Sequence, residues 1–360
     1  VSAYEEALDR ARMIAHELMF RIGVAIITRS SGRAQAGQAY STLADELTEN
    51  LLAHVLREME TAHGKVFGSA CAVLALGKLG SEEMTASSDL DIMVVYEVPG
   101  DAAGSDGAKS LSASQYFARA TQRLIAALSA PTAEGLLYEV DMRLRPSGNK
   151  GPIAVALPSI VAYHESSAWT WERLALCRAR VIAGDKELAA KIDDTVRSIL
   201  TKPRDESEIR ADVLAMRKRM IDELYKGDAW DLKQSPGGLV EVEFIVQFLQ
   251  LLNGRENPAI LAQNTGIALE KLGEAGLLAP VQLAQLKSAH DLYHALTQVL
   301  RLCVEGEFLL ETASGDLVRL LTNAADVPDV PTLEALLTET KENVRGFFCE
   351  LIGNPEEEPA

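Results

Sequence analysis

Cysteine is scarce in this sequence. Cys71, Cys177, Cys303 and Cys349 stand far apart and none belongs to a CxxC pair, so the cysteines indicate neither a zinc site nor a disulfide framework. Each lies in an apolar stretch, where it is expected to pack as a small buried residue, and a reducing, cytoplasmic compartment is expected. Long apolar runs are also missing. None approaches the roughly 18 to 20 residues that span a bilayer, and the N-terminal VSAYEEALDRARMIAHEL carries acids within a helical pattern, which excludes a secretory signal. Positive charge is in deficit: 35 Lys and Arg stand against 52 Asp and Glu, a formal net charge of -17. Sequence-independent binding to nucleic acid, which needs Lys and Arg to neutralise phosphates, is argued against, though a small basic pocket for one nucleotide is not. There is no internal repeat and no Ser–His–Asp arrangement. The first residue is Val rather than Met, so the chain is expected to be a piece of a longer one.

What is present fits a globular protein: 48% of residues are hydrophobic and 24% charged, and 360 residues suggest two or three domains. Residues 4–28 and 40–64 carry apolar residues at helical spacing, separated by the polar SSGRAQAGQ. From Cys71 the pattern changes. CAVLALG and DLDIMVVY (89–96) are short apolar runs of the kind that form buried strands. Residues 111–129 read as a helix, LLYEVDMRLR (136–145) as a third strand, and PSGNKGP as a turn into IAVAL. After Pro158 the punctuation is that of packed helices, near 158–183, 186–200, 206–226, 238–253, 262–276, 280–305 and 332–352. The expected fold is α+β. N-terminal helices (1–68) precede a small mixed-sheet domain (69–157) and a large all-helical bundle (158–352), with a frayed tail at 353–360.

Three features of the sheet region belong together. GKLGS (77–81) follows a strand; glycines let a backbone approach a ligand, and amides at a helix start can receive phosphate oxygens. In Ser87-Ser88-Asp89-Leu90-Asp91-Ile92, strand alternation puts Asp89 and Asp91 on one face and sends Leu90 and Ile92 into the core. Two adjacent carboxylates repel unless a cation lies between them, and hard oxygen ligands suit magnesium or manganese. In YEVDMRLRP the same alternation aligns Asp141 with Arg143 and Arg145, one further metal ligand beside two phosphate-binding cations. Each feature alone has a bland explanation: a tight strand exit, a polar strand edge, a salt-bridged edge strand. Together they are the ligand set of two-metal phosphoryl transfer on a nucleotide.

These residues resemble the DNA polymerase β-like nucleotidyltransferase superfamily, whose signature is a Gly-Ser turn, a D-x-D pair and a distal Asp. More closely, GKLGSEEMTASSDLDIMVVY, GLLYEVDMRLRPSG, AWTWERLALCRARVIAGD and SPGGLVEVEFIVQFLQL are similar to the glutamine synthetase adenylyltransferases, over nearly the whole chain. That family has two homologous halves, one attaching AMP to a tyrosine of glutamine synthetase and one removing it. The flanking segments YEEALDRARMIAHELMFRIGV, WTWERLALCRARVIAGD and TKPRD resemble the C-terminal, adenylylating half, and the acidic tail fits an end at the natural C-terminus. One departure is Ser81, where the family more often has glycine. The resemblance implies ATP as substrate, with Mg2+ or Mn2+ held by Asp89, Asp91 and Asp141. Asp141 would also help take the tyrosine proton, and Gly80 and Ser81 would cradle phosphates, with Ser88, Arg143 and Arg145 as further nucleotide contacts. It also implies the PII signal protein as a partner and glutamine as an effector.

Other residues keep two explanations open. Glu241 and Glu243, at a helix start after Pro236-Gly237-Gly238, either satisfy the helix dipole or reach the catalytic cleft. Trp169, Trp171, Glu172 and Arg173 are expected mainly to fix the helical domain against the sheet, with Arg173, Arg178 or Arg180 as alternative nucleotide contacts. His290 and His294, at i and i+4, have metal-ligand spacing but no evident third ligand, so a core or surface role is expected. The rival functions are the deadenylylating half, a regulatory module that docks PII, and another nucleotidyltransferase.

Overall fold

The computed structural model describes residues 3–30, 33–100 and 104–356. Helices α1 (Ala3–Ile27) and α2 (Arg33–His63) lead. The sheet region follows as β1 (Ala70–Ala75), the one-turn helix α3 (Gly77–Gly80), β2 (Leu90–Glu97), α4 (Ala113–Ser129), β3 (Val140–Asp141) and β4 (Ala154–Ala156). Next come α5 (Leu157–Ser166), α6 (Thr170–Leu176) and β5 (Arg180–Gly184), then the helices α7 (Lys186–Leu200), α8 (Glu206–Leu224), α9 (Leu239–Asn253), α10 (Thr265–Glu274), α11 (Pro280–Cys303), α12 (Gly315–Ala325) and α13 (Val330–Leu351). The class is α+β, and no helix among the described residues is long and apolar enough to cross a membrane.

The sheet is mixed, in the order β3-β2-β1-β5, with β4 also pairing β2. β1 runs antiparallel to β2 and to β5, whereas β3 and β4 lie parallel to β2, opposite its beginning and its end. Both faces are covered, which explains why β1 and β2 are almost continuously apolar. Val73 and Ala75 of β1, with Ile92 and Val94 of β2, join a core that includes Leu51, Val55 and Met59 of α2 and Leu124 and Leu128 of α4. Ala72 and Leu74, with Met93 and Val95, join the larger core built by the helices after β4. α1 is anchored by Arg12. Its side chain is fully buried and donates to the carbonyls of Leu8, Gly135, Ala127 and Ala130 at 2.7–3.0 Å, three of them beyond its own helix at the exit of α4.

Four expectations about elements are corrected. The polar SSGRAQAGQ segment is largely helix, because α2 begins at Arg33; Gly37 is a packing glycine, and a Cβ there would stand 3.2 Å from Glu82 O. The third strand stops after Val140–Asp141, as its chain turns at Met142. The span 158–183 is not one helix: two short helices are followed by β5, which pairs with β1 more than 100 residues earlier and gives the sheet a strand from beyond residue 157. A helix at Gly315–Ala325 was not expected. Of the expected tail, residues 357–360 lie outside the described residues, while Glu356 meets Arg345 at 3.4 Å.

The start of α9 shows what Glu241 does. It is fully buried and accepts from Arg217 Nε at 2.8 Å, Arg345 Nη1 at 2.9 Å and the Gly237 amide at 2.9 Å. It therefore ties α8, α9 and α13 together. Removing one member of a buried ion pair strands the other's charge. Glu241→Gln is expected to lower unfolding free energy by about 3–5 kcal/mol in urea titrations. Glu17→Gln, in the exposed Glu17–Arg21 pair, should change it by no more than about 0.5 kcal/mol.

Candidate active site

The turn after β1 is shaped by what it passes. Leu76 donates its amide to Asp91 O at 2.8 Å, and Gly77 then takes φ +53°. A Cβ at Gly77 would lie 2.1 Å from Asp91 Oδ2, so only glycine lets the backbone run this close to the carboxylate. The amides of Gly80 and Ser81 are spent inside the turn, on Leu76 O at 2.8 Å and Gly77 O at 3.2 Å. Ser81 is fully buried, and its carbonyl accepts from Asn264 Nδ2. The expectation that Gly80 and Ser81 cradle phosphates is thereby corrected: the part of the motif that faces the cleft is Gly77 and Lys78.

Strand alternation carries Asp91 but not Asp89, which was expected on the same strand face and lies outside β2. Leu90 and Ile92 are buried, Asp91 is half-buried on the opposite face, and Asp89 is exposed just ahead of the strand. Parallel pairing of β2 with β3 sets Asp141 directly across from Asp91, which brings the distal Asp to the D-x-D pair. The arginines do not follow. Because β3 ends at Asp141, no common strand face exists for Arg143 and Arg145. Arg143 folds back on Asp141, its amide on Oδ1 and its Nε on Oδ2, both at 2.7 Å. Arg145 is buried and donates to Met142 O and Pro152 O, holding the following turn instead of facing a nucleotide. Ser88 lines the cleft, and its Oγ accepts from the Thr85 amide at 2.9 Å.

The cleft, about 280 Å³, has two walls. Lys78, Ser88, Asp89 and Asp91 come from the sheet region, and Arg178, Lys233, Glu243 and Arg301 from later segments. Of the two glutamates of α9, Glu243 is the one that reaches the cleft, where it pairs with Arg178 at 2.7 Å. Lys78, Lys233 and Arg301 were missed from sequence. Lys78 lay inside the GKLGS motif and Lys233 just ahead of SPGG, but nothing near Arg301 marked it. Arg180 is committed elsewhere: it donates to Leu79 O and Gly80 O and forks onto Asp45 of α2, clamping the turn from below. Arg173 lies in a separate cavity with Lys202 and Arg204. Trp169 and Trp171 are 68% and 40% exposed, so they do not wedge the helices against the sheet as expected; Glu172 does the local fixing, accepting from the Trp169 amide and the Tyr163 hydroxyl.

Charge in the cleft is unbalanced in both directions. Burial, then the neighbouring Asp141 and Asp89, push the Asp91 carboxyl up to about 6. Burial would raise Asp141 as well, but its side-chain and backbone hydrogen bonds from Arg143 outweigh this and hold it below the usual carboxylate range. A carboxylate so held is a weak base. Burial, and next the charge of Lys233, lower the Lys78 ammonium to about 8. An Asp91 carboxylate whose ionised form is disfavoured by burial and by its neighbours Asp141 and Asp89 fits a hard divalent cation, whose charge would offset both. Because the folded-state pKa of Asp91 lies above the ordinary 3.8, stability falls as pH rises from about 4 to about 6, and the penalty is complete above that range. Asp91→Asn is therefore expected to be more stable than the parent at pH 7.5 in chelator, by on the order of 1–3 kcal/mol. The difference should vanish toward pH 4, and melting curves across pH check this.

Similarity to known proteins covers the chain in two parts. The family model for glutamate-ammonia ligase adenylyltransferase matches residues 1–195, and that for GlnD PII-uridylyltransferase matches residues 210–352. The chain is 46% identical to a Rhodopseudomonas palustris (strain TIE-1) protein named bifunctional glutamine synthetase adenylyltransferase/adenylyl-removing enzyme, over 98% of this chain and 36% of that one. Proteins of the same name from Bradyrhizobium diazoefficiens and Xanthobacter autotrophicus are 42% and 45% identical, over 98% and 96% of this chain and 35% of each relative. The chain thus spans about a third of the length of the curated relatives it matches. With more than half of its residues matched by one family model and this identity along nearly its whole length, the chain belongs to the glutamate-ammonia ligase adenylyltransferase family.

Proposed function

We propose that this chain is an adenylyltransferase that moves AMP from ATP to a tyrosine hydroxyl of glutamine synthetase, with release of pyrophosphate. The observation that carries the proposal is the meeting of Asp91 and Asp141 across two parallel strands, with Asp89 and Lys78 beside Asp91 in a cleft whose other wall brings Arg178, Lys233 and Arg301. Carboxylates and cations that face one cleft suit a metal-bound polyphosphate between them. Asp89, Asp91 and Asp141 would hold magnesium or manganese, which supplies charge neutralisation at the phosphates and lowers the pKa of an attacking hydroxyl.

The remaining work falls to the chain's own groups. Lys78, next to the close-approach glycine Gly77, is placed to meet phosphate oxygens, and Lys233 and Arg301 extend the positive field along the leaving group. Glu243 holds Arg178 in orientation. Arg143 is exposed, and its fork is bound to Asp141 alone among the described ion pairs, so an incoming phosphate can compete for it. The relatives' printed name contains both the adenylylating and the adenylyl-removing activity. Assignment to the adenylylating half rests on the flanking segments around Trp169–Asp185 and the N-terminal helix. A match of residues 210–352 to a family named for PII supports PII as a partner met through the helices after α7.

Incubation with glutamine synthetase, α-labelled ATP and magnesium is expected to label the synthetase. Asp89→Asn and Asp141→Asn should each lose about 10²-fold or more in rate. Phosphate-dependent release of ADP from pre-modified synthetase, without forward labelling, would move the assignment to the opposing half. A second expectation concerns Lys78. Its charge is lost as pH rises through about 8, so ATP affinity should weaken between pH 7 and 9.5, with proton uptake on binding in that range. Lys78→Arg, which stays charged, should flatten the profile in calorimetric titrations.

A further inference from the structure

His290 and His294 sit one helical turn apart on α11, the spacing at which two imidazoles share a face. The third group absent from the sequence pattern is Glu83, from the loop after α3 and 207 positions from His290. Ligand atoms of the three residues all lie within 4.8 Å of one another. Glu83 Oε1 is 2.9 Å from His290 Nε2 and 4.0 Å from His294 Nε2. Tetrahedral donors at about 2.1 Å from an ion stand about 3.4 Å apart, a value between these two separations. For both Glu83–His pairs, closing on an ion thus needs a change in separation of about half an ångström.

The surroundings are those of a held ligand set. Glu83 is buried, and Thr265 at the start of α10 donates to it through its amide at 3.2 Å and its hydroxyl at 3.1 Å. Asp291 Oδ1 stands 3.5 Å from His290 Nδ1, the carboxylate-behind-histidine arrangement that orients a metal-bound imidazole. A Glu–His hydrogen bond explains Glu83 and His290 but not His294, whose Nε2 is buried, turned toward Glu83 and without a hydrogen-bond partner. Leaving a buried polar atom unmatched costs about 1–3 kcal/mol.

We propose that Glu83, His290 and His294 bind a divalent cation of the zinc class, which staples α11 to the loop leading from Lys78 to Asp89. Two imidazoles and a carboxylate are the donors that such borderline ions favour over magnesium, and they leave a position for water. This site is separate in residues and ligand chemistry from the three aspartates and does not rest on the adenylyltransferase assignment.

The test is metal retention. Zinc-loaded protein, dialysed against metal-free buffer, is expected to hold one zinc per chain by elemental analysis, and zinc should raise its melting temperature by a few degrees. His294→Gln, which keeps the Glu83–His290 hydrogen bond, should lose both effects, whereas an Asp89→Asn/Asp91→Asn variant should keep them. Equal zinc in parent and His294→Gln, or no retained zinc in the parent, would overturn the proposal, as would zinc lost only from the aspartate variant. X-ray absorption of the zinc-loaded parent gives an answer that needs no folded variant. Imidazole scattering at about 2.0–2.1 Å supports the site, and sulfur ligation or the absence of imidazole overturns it.

Discussion

Three carboxylates placed where two parallel strands begin side by side set the terms for the rest of this molecule. Asp91 and Asp141 face each other in register and Asp89 precedes them, and burial, then the charges of these two neighbours, raise Asp91 to about 6. A fold that keeps such a cluster must surround it with cations or offer it one. Here Lys78, Arg178, Lys233 and Arg301 converge on the same cleft from four separate parts of a chain whose formal net charge is -17. The positive charge is therefore local, the size of a nucleotide's phosphates and not of a nucleic-acid groove. Much of this wall comes from beyond residue 157, so the sheet region holds the acids and the later segments bring most of the bases.

Buried ionic contacts then fix the pieces in one arrangement. Arg180 of β5 forks onto Asp45 of α2 while capping the carbonyls of Leu79 and Gly80, which joins the leading helices, the glycine turn and the sheet edge. Glu241 does the same for α8, α9 and α13. Such contacts add little net stability over apolar packing, but a wrong arrangement would leave a charge unpaired. The sequence offers no direct sign of them, since each joins residues tens to more than a hundred positions apart.

That distance also separates what was legible from what was not. β1 and β2 could be read because burial on both faces makes them continuous apolar runs, and Asp91 because alternation needs only the strand itself, whereas Asp89 lies just ahead of that strand. Asp141 was legible as a third ligand, but its position opposite Asp91 depends on a two-residue pairing that no local pattern signals. The same shortness undid the alignment with Arg143 and Arg145, since alternation holds only while the strand lasts. β5 was hidden because RVIAG is five residues long and becomes a strand through pairing with β1. Gly80 and Ser81 look like phosphate ligands by motif, yet one turn of helix consumes their amides. Glu83 gave no hint of its place between two histidines because its partners lie some 200 residues away.

The loop between the glycine turn and the D-x-D strand is where the sheet region meets the later helices. Its backbone and side chains are held less by the sheet than by α10, α11 and the residue before α10. Asn264 donates to Ser81 O, Thr265 to Glu83, His290 lies against Glu83, and Gln298 donates to Met84 O at 2.8 Å. These contacts are mostly buried, so none can be exchanged for water without opening the interface. A displacement of α10 and α11 relative to the sheet must either break several of them together or carry residues 81–84 along, and with them the approach to Asp89. Helices that match a family named for a PII-modifying enzyme are thus mechanically attached to the loop that leads to Asp89. Any partner that binds one position of those helices better than another would act on the site through that attachment, by as much as its affinities for the two positions differ.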